Sequence, residues 1–215
     1  MGADGTPAFA SCLLHQPHPL DLSFAGLNEP DLYPHHLYFF IYWERNMTAI
    51  VVFFVIFFAI RLYFLGISIK HEKALIKKGA TQVGERHSKL LAAAHIVYYF
   101  SALASAVVAG VQFDVISAVG AAMVSASLLV LWFIIKALGE IWTVKVYILP
   151  NHTINRSWLF RTFKHPNYFL NIIPELIGIA LLCQAWWVLF IGLPIYGVLL
   201  FIRIQQEELA MKHLF

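Results

Sequence analysis

A chain of 215 residues that is 60% hydrophobic and only 13% charged departs from soluble proteins, which are about 45–50% apolar and about 25% charged. Its net charge of +3, with no basic helix or stripe, argues against a nucleic-acid partner, and its mean hydropathy of +0.72 is what a lipid solvent demands. The length suits one membrane domain with no second large soluble one, and Cys12 and Cys183 are too far apart to suggest a disulfide framework or a cysteine metal site.

Residues 1–46 mix Pro, Gly, Asp and His without a sustained period, and no charged region precedes an apolar one as in a signal peptide. "LYFFIYW" is too short to span a bilayer and reads as an interfacial aromatic patch. The expectation is an atypical N-terminal extension over 1–46 and a membrane domain over 47–215. From Met47 on, five apolar runs predict five transmembrane helices at about 48–69, 90–113, 115–138, 168–187 and 188–204. Only a few residues separate helices two and three, or four and five, so each pair is expected to form a tight helical hairpin. Gly, Ala and Ser are dense in helices two and three, which permits close backbone approach in lipid. Pro174 and Pro194 are expected to kink their helices or free a carbonyl. The fold class is therefore an all-α integral membrane protein.

Lys70, Lys73, Lys77, Lys78, Arg86 and Lys89 follow helix one, and Lys145, Arg156, Arg161 and Lys164 follow helix three. The hairpin tips carry almost none, with Asp114 at the first. The positive-inside rule then puts both long loops and the C-terminus in the cytoplasm. The sequons at Asn151 and Asn155 would face that side unglycosylated, and Trp142, Trp158, Trp186 and Trp187 fall near expected interfaces.

Polar residues gather on that same side. In "KHPNY", Pro166 suits the first turn of a helix. His165 sits just before it, at an end whose free N–H groups attract anions such as a ligand carboxylate. Tyr168, Asn171 and Glu175 follow at helical spacing and share a face. The plain alternative is an interfacial anchor with polar contacts between helices, but Glu175 lies about two turns inside and needs a partner or a wet cavity. In "FIRIQQEEL", Arg203 and Glu207 can meet on one face. Glu208 points about 100° away, toward a different neighbour; an ordinary ion pair on a solvated helix end is the alternative. Arg61, inside helix one, either snorkels or pairs with Glu175 or Glu207. The Lys-rich "HEKALIKKGATQVGERH" reads as a headgroup-binding surface. No P-loop, GxGxxG, HExxH or GxSxG occurs, and no histidines have metal-ligand spacing, so no metal is expected.

Together, "KHPNY", a glutamate seven residues after its tyrosine, a helical hairpin and then "RIQQEEL" resemble the isoprenylcysteine carboxyl methyltransferase family. "HEKALIKKGATQVGERH" and "LGEIWTVKVYILP" resemble motifs of its small bacterial branch, some of whose members resemble O-methyltransferases of alkylresorcinols and alkylpyrones. The likeness runs from about Met47 to Leu209. It implies a cofactor pocket for S-adenosylmethionine on the cytoplasmic side of a bacterial cytoplasmic membrane, with Leu149, His165, Pro166, Tyr168 and Glu175 binding the cofactor. Arg203, Glu207 and Glu208 would act on a lipophilic or prenylated acceptor, with membrane lipids as the surroundings. Two departures stand out: Lys164 replaces the usual arginine and loses its bidentate fork, and His71 replaces the usual asparagine. Competing readings are an NADPH-dependent lipid or sterol reductase, a phospholipid N-methyltransferase and a non-enzymatic membrane partner.

Overall fold

In hydrocarbon a backbone N–H or C=O finds no partner but another backbone group, so apolar runs of this length fold as helices. The computed structural model describes the backbone of residues 35–148 and 165–211 and the side chains of 47–148 and 165–210. Two units divide the chain, residues 1–38 and 39–215. Of the first, only helical residues from His35 on are described; the helical bundle and its polar groups belong to the second.

Five helices are described: α1 (His35–Lys77), α2 (Glu85–Ala109), α3 (Val115–Leu138), α4 (Asn167–Leu182) and α5, which is π-helical over Val188–Gly192 and α-helical over Leu193–Met211. Met47–Lys77, Glu85–Ala109, Val115–Ile141 and Val188–Ala210 are long and apolar enough to cross a membrane, while α4 is a shorter apolar helix. The all-α membrane architecture is as expected. The boundary placed at Met47 falls inside α1, and α4 stops at Leu182, so Trp186 and Trp187 open the next helix. One small addition is an antiparallel ribbon of β1 (Thr81–Val83) and β2 (Val146–Ile148), paired Thr81↔Ile148, Gln82↔Tyr147 and Val83↔Val146.

The two prolines act as expected, with a specific geometry. A proline offers no N–H and its ring crowds the carbonyl four residues back. Just before Pro174 and Pro194 the helices widen into π turns, Asn167–Ile172 and Val188–Gly192, and the Ile173 and Leu193 amides reach back five residues to the Tyr168 and Val188 carbonyls. The hairpins have clear stops. Gly110 takes the left-handed conformation after α2, and the Asp114 side chain caps α3 by accepting from the Ser117 amide at 2.9 Å. In the second hairpin, Gln184 donates to the Gln112 carbonyl and to Ser117 Oγ, tying the two tips together.

α3 and α4 touch backbone to backbone. A Cβ on Gly120 would stand 2.6 Å from the Gly178 carbonyl oxygen, and one on Gly178 would stand 2.9 Å from that of Gly120. Such approach lets helices associate where lipid removes the hydrophobic drive. Around this contact pack Val124, Leu128, Leu131, Leu176 and Ile179, while residues such as Val55, Val108 and Phe190 face outward. Gly120→Ala is therefore expected to lower stability by about 1–3 kcal/mol or more, read as a lower midpoint of thermal unfolding in detergent. Gly197→Ala, with open space around it, should not.

Candidate active site

The end of the bundle opposite the hairpin tips collects the polar groups. β1 leads into Gly84, whose left-handed backbone (φ 66°) turns the chain into α2 beside the last turns of α5. A Cβ there would stand 2.5 Å from Gln206 Oε1 and 3.3 Å from Arg203 Nη1, so glycine serves both the bend and the approach. Arg203 is 1% exposed. Its Nη1 donates to Ser88 Oγ at 2.9 Å and to the Val83 carbonyl at 3.4 Å, and Ser88 Oγ in turn donates to the Gly84 carbonyl. Gln206 Nε2 lies 2.8 Å from His87 Nδ1. Arg203 Nη2 and Gln206 Oε1 are buried without a hydrogen-bond partner among the described residues.

α4 opens against the same end of α5. The Tyr168 and Phe169 amides both donate to the His165 carbonyl, so Pro166 sits in the first turn, where no N–H is needed. Tyr168 Oη donates to Glu207 Oε2 at 2.7 Å. The His165 ring stacks on Tyr168 with centroids 5.7 Å apart. Its Nε2 is 3.2 Å from Glu208 Oε1 and its Nδ1 3.9 Å from Glu207 Oε1. His165, Tyr168, Glu207 and Glu208 thus share one cluster, with Arg203 one turn before Glu207.

The geometry corrects several expectations. The described hydrogen bonds of Arg203 run to α2 and β1, not to Glu207, which accepts from Tyr168 instead. Glu208 and Glu207 share a neighbour: an imidazole presents a nitrogen on each side, and both carboxylates face the His165 ring. Two first-turn amides of α4 are committed inside the helix, so few remain for an anion. Trp142 is 3% exposed and packs beside His71 at the end of α1. Leu149, Lys164, Trp158 and both sequons lie outside the described residues.

Glu175 belongs elsewhere. It is fully buried, and its Oε1 accepts from Arg61 Nε at 2.5 Å and from Tyr99 Oη. His95 Nε2 lies 3.9 Å from the same oxygen, and His95 Nδ1 lies 3.3 Å from Tyr196 Oη. Of the two partners open to Arg61, the structure selects Glu175. His95, Tyr99 and Tyr196 were not anticipated; an ionisable residue inside "AAAHIVYYF" was the available signal.

The "HEK" segment also does more than face headgroups. Lys145 Nζ meets Glu72 Oε2 at 2.7 Å, and that carboxylate holds the ammonium above its ordinary range. The Val144 amide donates to Ser68 Oγ, and His71 Nδ1 lies 2.8 Å from the Trp142 carbonyl. These bonds fasten the strand after α3 to the end of α1, and with it the ribbon that carries Val83 and Gly84. Among the described residues no cluster could hold a metal.

With this geometry in place, comparison with known proteins is informative. The sequence profile of the isoprenylcysteine carboxyl methyltransferase family matches residues 118–213, and with them the whole His165–Glu208 cluster. The chain belongs to this family. It is thereby a membrane methyltransferase. An uncharacterized protein of Haemophilus influenzae is 53% identical over 169 residues, covering 79% of this chain and 98% of the relative. The uncharacterized protein YpbQ of Bacillus subtilis is 26% identical over 148 residues, covering 69% and 88%. No solved structure matches.

Removing one member of a buried ion pair strands the other charge. Arg61→Met or Glu175→Gln alone should each cost about 3–5 kcal/mol, whereas the double variant should lose less than the sum. A double-mutant cycle on unfolding in detergent would read this coupling, and strict additivity would deny it.

Proposed function

We propose that this protein transfers a methyl group from S-adenosylmethionine to an oxygen of a lipophilic acceptor, either a carboxylate or a phenolic or enolic hydroxyl. The observation that carries the reading is the convergence of a buried guanidinium with a free Nη2, an aromatic pair and two carboxylates at the end of one bundle.

These residues fit the cofactor. S-adenosylmethionine, when bound, supplies an electrophilic methyl on a cationic sulfur. Carboxylates and aromatic faces favour a cation, and Glu207, Glu208, His165 and Tyr168 supply both. Tyr168 holds the Glu207 carboxylate by a 2.7 Å hydrogen bond, with His165 3.9 Å from its other oxygen, so it is oriented before any ligand arrives. Arg203, held by Ser88 and Val83, presents Nη2 to an acceptor oxygen. If the acceptor is a carboxylate, this pairing orients it and no base is required. If it is a phenol or enol, its proton passes to Glu207 or Glu208 as oxygen takes the methyl. Helix faces such as those of Val55 and Phe190 remain open to lipid, and the acceptor's tail enters between helices from that side. The Lys- and Arg-rich loops favour a cytoplasmic position for the cluster, with membrane lipids as its surroundings.

Purified protein incubated with methyl-labelled cofactor and a membrane lipid extract should yield a labelled, extractable lipid. Arg203→Ala and Glu207→Gln should each reduce that yield by about 100-fold or more, and Glu207→Gln should do so while retaining the wild-type unfolding midpoint within a few degrees. Full activity in both variants would remove these roles, and label in a lipid amine would indicate N-methylation.

A further inference from the structure

The buried cluster around Glu175 repeats the transfer site one layer deeper. On α5, Tyr196 precedes Arg203 by seven residues; on α4, Glu175 follows Tyr168 by seven; on α2, His95 follows Ser88 by seven. Three helices therefore carry two polar layers separated by two turns, about 10 Å along regular helix. A single brace between α1 and α4 would need only Arg61 and Glu175. Here five polar side chains from four helices meet: Arg61, His95, Tyr99, Glu175 and Tyr196.

The deeper layer is also incompletely satisfied. Glu175 Oε2 and His95 Nε2 are buried with no hydrogen-bond partner among the described residues, although buried polar atoms ordinarily have one. Arg61 Nε donates to Glu175, and the guanidinium has five N–H groups in all, while the side chain is 18% exposed. The charges of Arg61 and Glu175 balance, so a further ion would face an opposing carboxylate or an occupied guanidinium. What suits the vacant valences is a neutral group that can donate to Glu175 Oε2 and accept from His95 or Arg61. A hydroxyl does both.

We infer that the Arg61–Glu175–His95 layer binds a hydroxyl on the acceptor's hydrocarbon chain, about 10 Å deeper than the oxygen that receives the methyl. This rests on the assignment of the outer layer as the transfer site. The acceptor class is then a hydroxylated long-chain lipid, and the layer acts on specificity: a site built to hydrogen-bond a hydroxyl rejects the analogue that lacks it, because its own groups are left unpaired.

Competition between 10-hydroxystearate and stearate for the purified protein in detergent tests this, with binding of S-adenosylmethionine measured alongside. The hydroxylated probe should bind about tenfold tighter than stearate. His95→Phe keeps the ring stacked on Tyr99 and removes both nitrogens, the free one and the one beside Tyr196; it should abolish the preference with cofactor affinity unchanged. Glu175→Gln should weaken the preference in the same direction. If the wild type binds cofactor but shows no preference for the hydroxylated probe, or binds neither probe, the inference is overturned and the layer is a water-filled brace. A preference that survives in His95→Phe overturns it as well. Failure to bind S-adenosylmethionine would instead count against the proposed transfer activity, so the two failures are separable.

Discussion

The structure depends on one constraint: a polar side chain placed in a lipid-facing bundle must find its partner on another helix. Arg203 is the clearest case. A guanidinium that is 1% exposed at the end of α5 is tolerable because Ser88 and the Val83 carbonyl, among the described residues, meet it. That requirement fixes α2 against α5, demands glycine at position 84, and draws the β1–β2 ribbon over the same end. The ribbon is in turn held through Lys145 and Glu72 to α1. At the same end, Tyr168 and His165 close α4 onto Glu207 and Glu208. The site and the scaffold are thus made of the same bonds, and the helix ends are positioned by the groups that would do the chemistry.

The apolar contacts are complementary and less directional. Gly120 and Gly178 let α3 and α4 meet at backbone distance, which sets α4 deep in the bundle with Glu175, Leu176, Ile179 and Leu182 all buried. Because α4 is both short and enclosed, its stretch of π helix can re-aim Tyr168 and Asn171 without exposing backbone to lipid. The proline that forces this widening lies one residue before Glu175, between the two polar layers. A single sequence feature therefore widens the helix between the layers.

Much of this was legible in the residues. Apolar runs of about 20 residues announce spans, Gly110 and Asp114 mark a hairpin, and "HPNY" with "EEL" names the pair of segments that meet. Other parts were not. Three-residue strands are too short for alternation to show, so β1 and β2 passed as loop. Arg61 had two possible glutamates because α1 is apolar all round, and nothing in its pattern says which face turns inward. The roles of Ser88, His95 and Tyr196 depend on which helix lies beside which, a property of packing that periodicity does not encode. Spacing allows an Arg203–Glu207 pair, but tertiary contacts give each another neighbour, Ser88 for Arg203 and Tyr168 for Glu207.

The central claim is that the cluster at His165, Tyr168, Arg203, Glu207 and Glu208 is a site for S-adenosylmethionine. Equilibrium dialysis of the purified full chain against labelled S-adenosylmethionine, and separately against NADPH, tests it most directly. The account predicts saturable binding of S-adenosylmethionine that is lost when Tyr168→Phe and Glu207→Gln are combined, with no saturable binding of NADPH. Saturable binding of NADPH without S-adenosylmethionine, or cofactor binding indifferent to both substitutions, would contradict it.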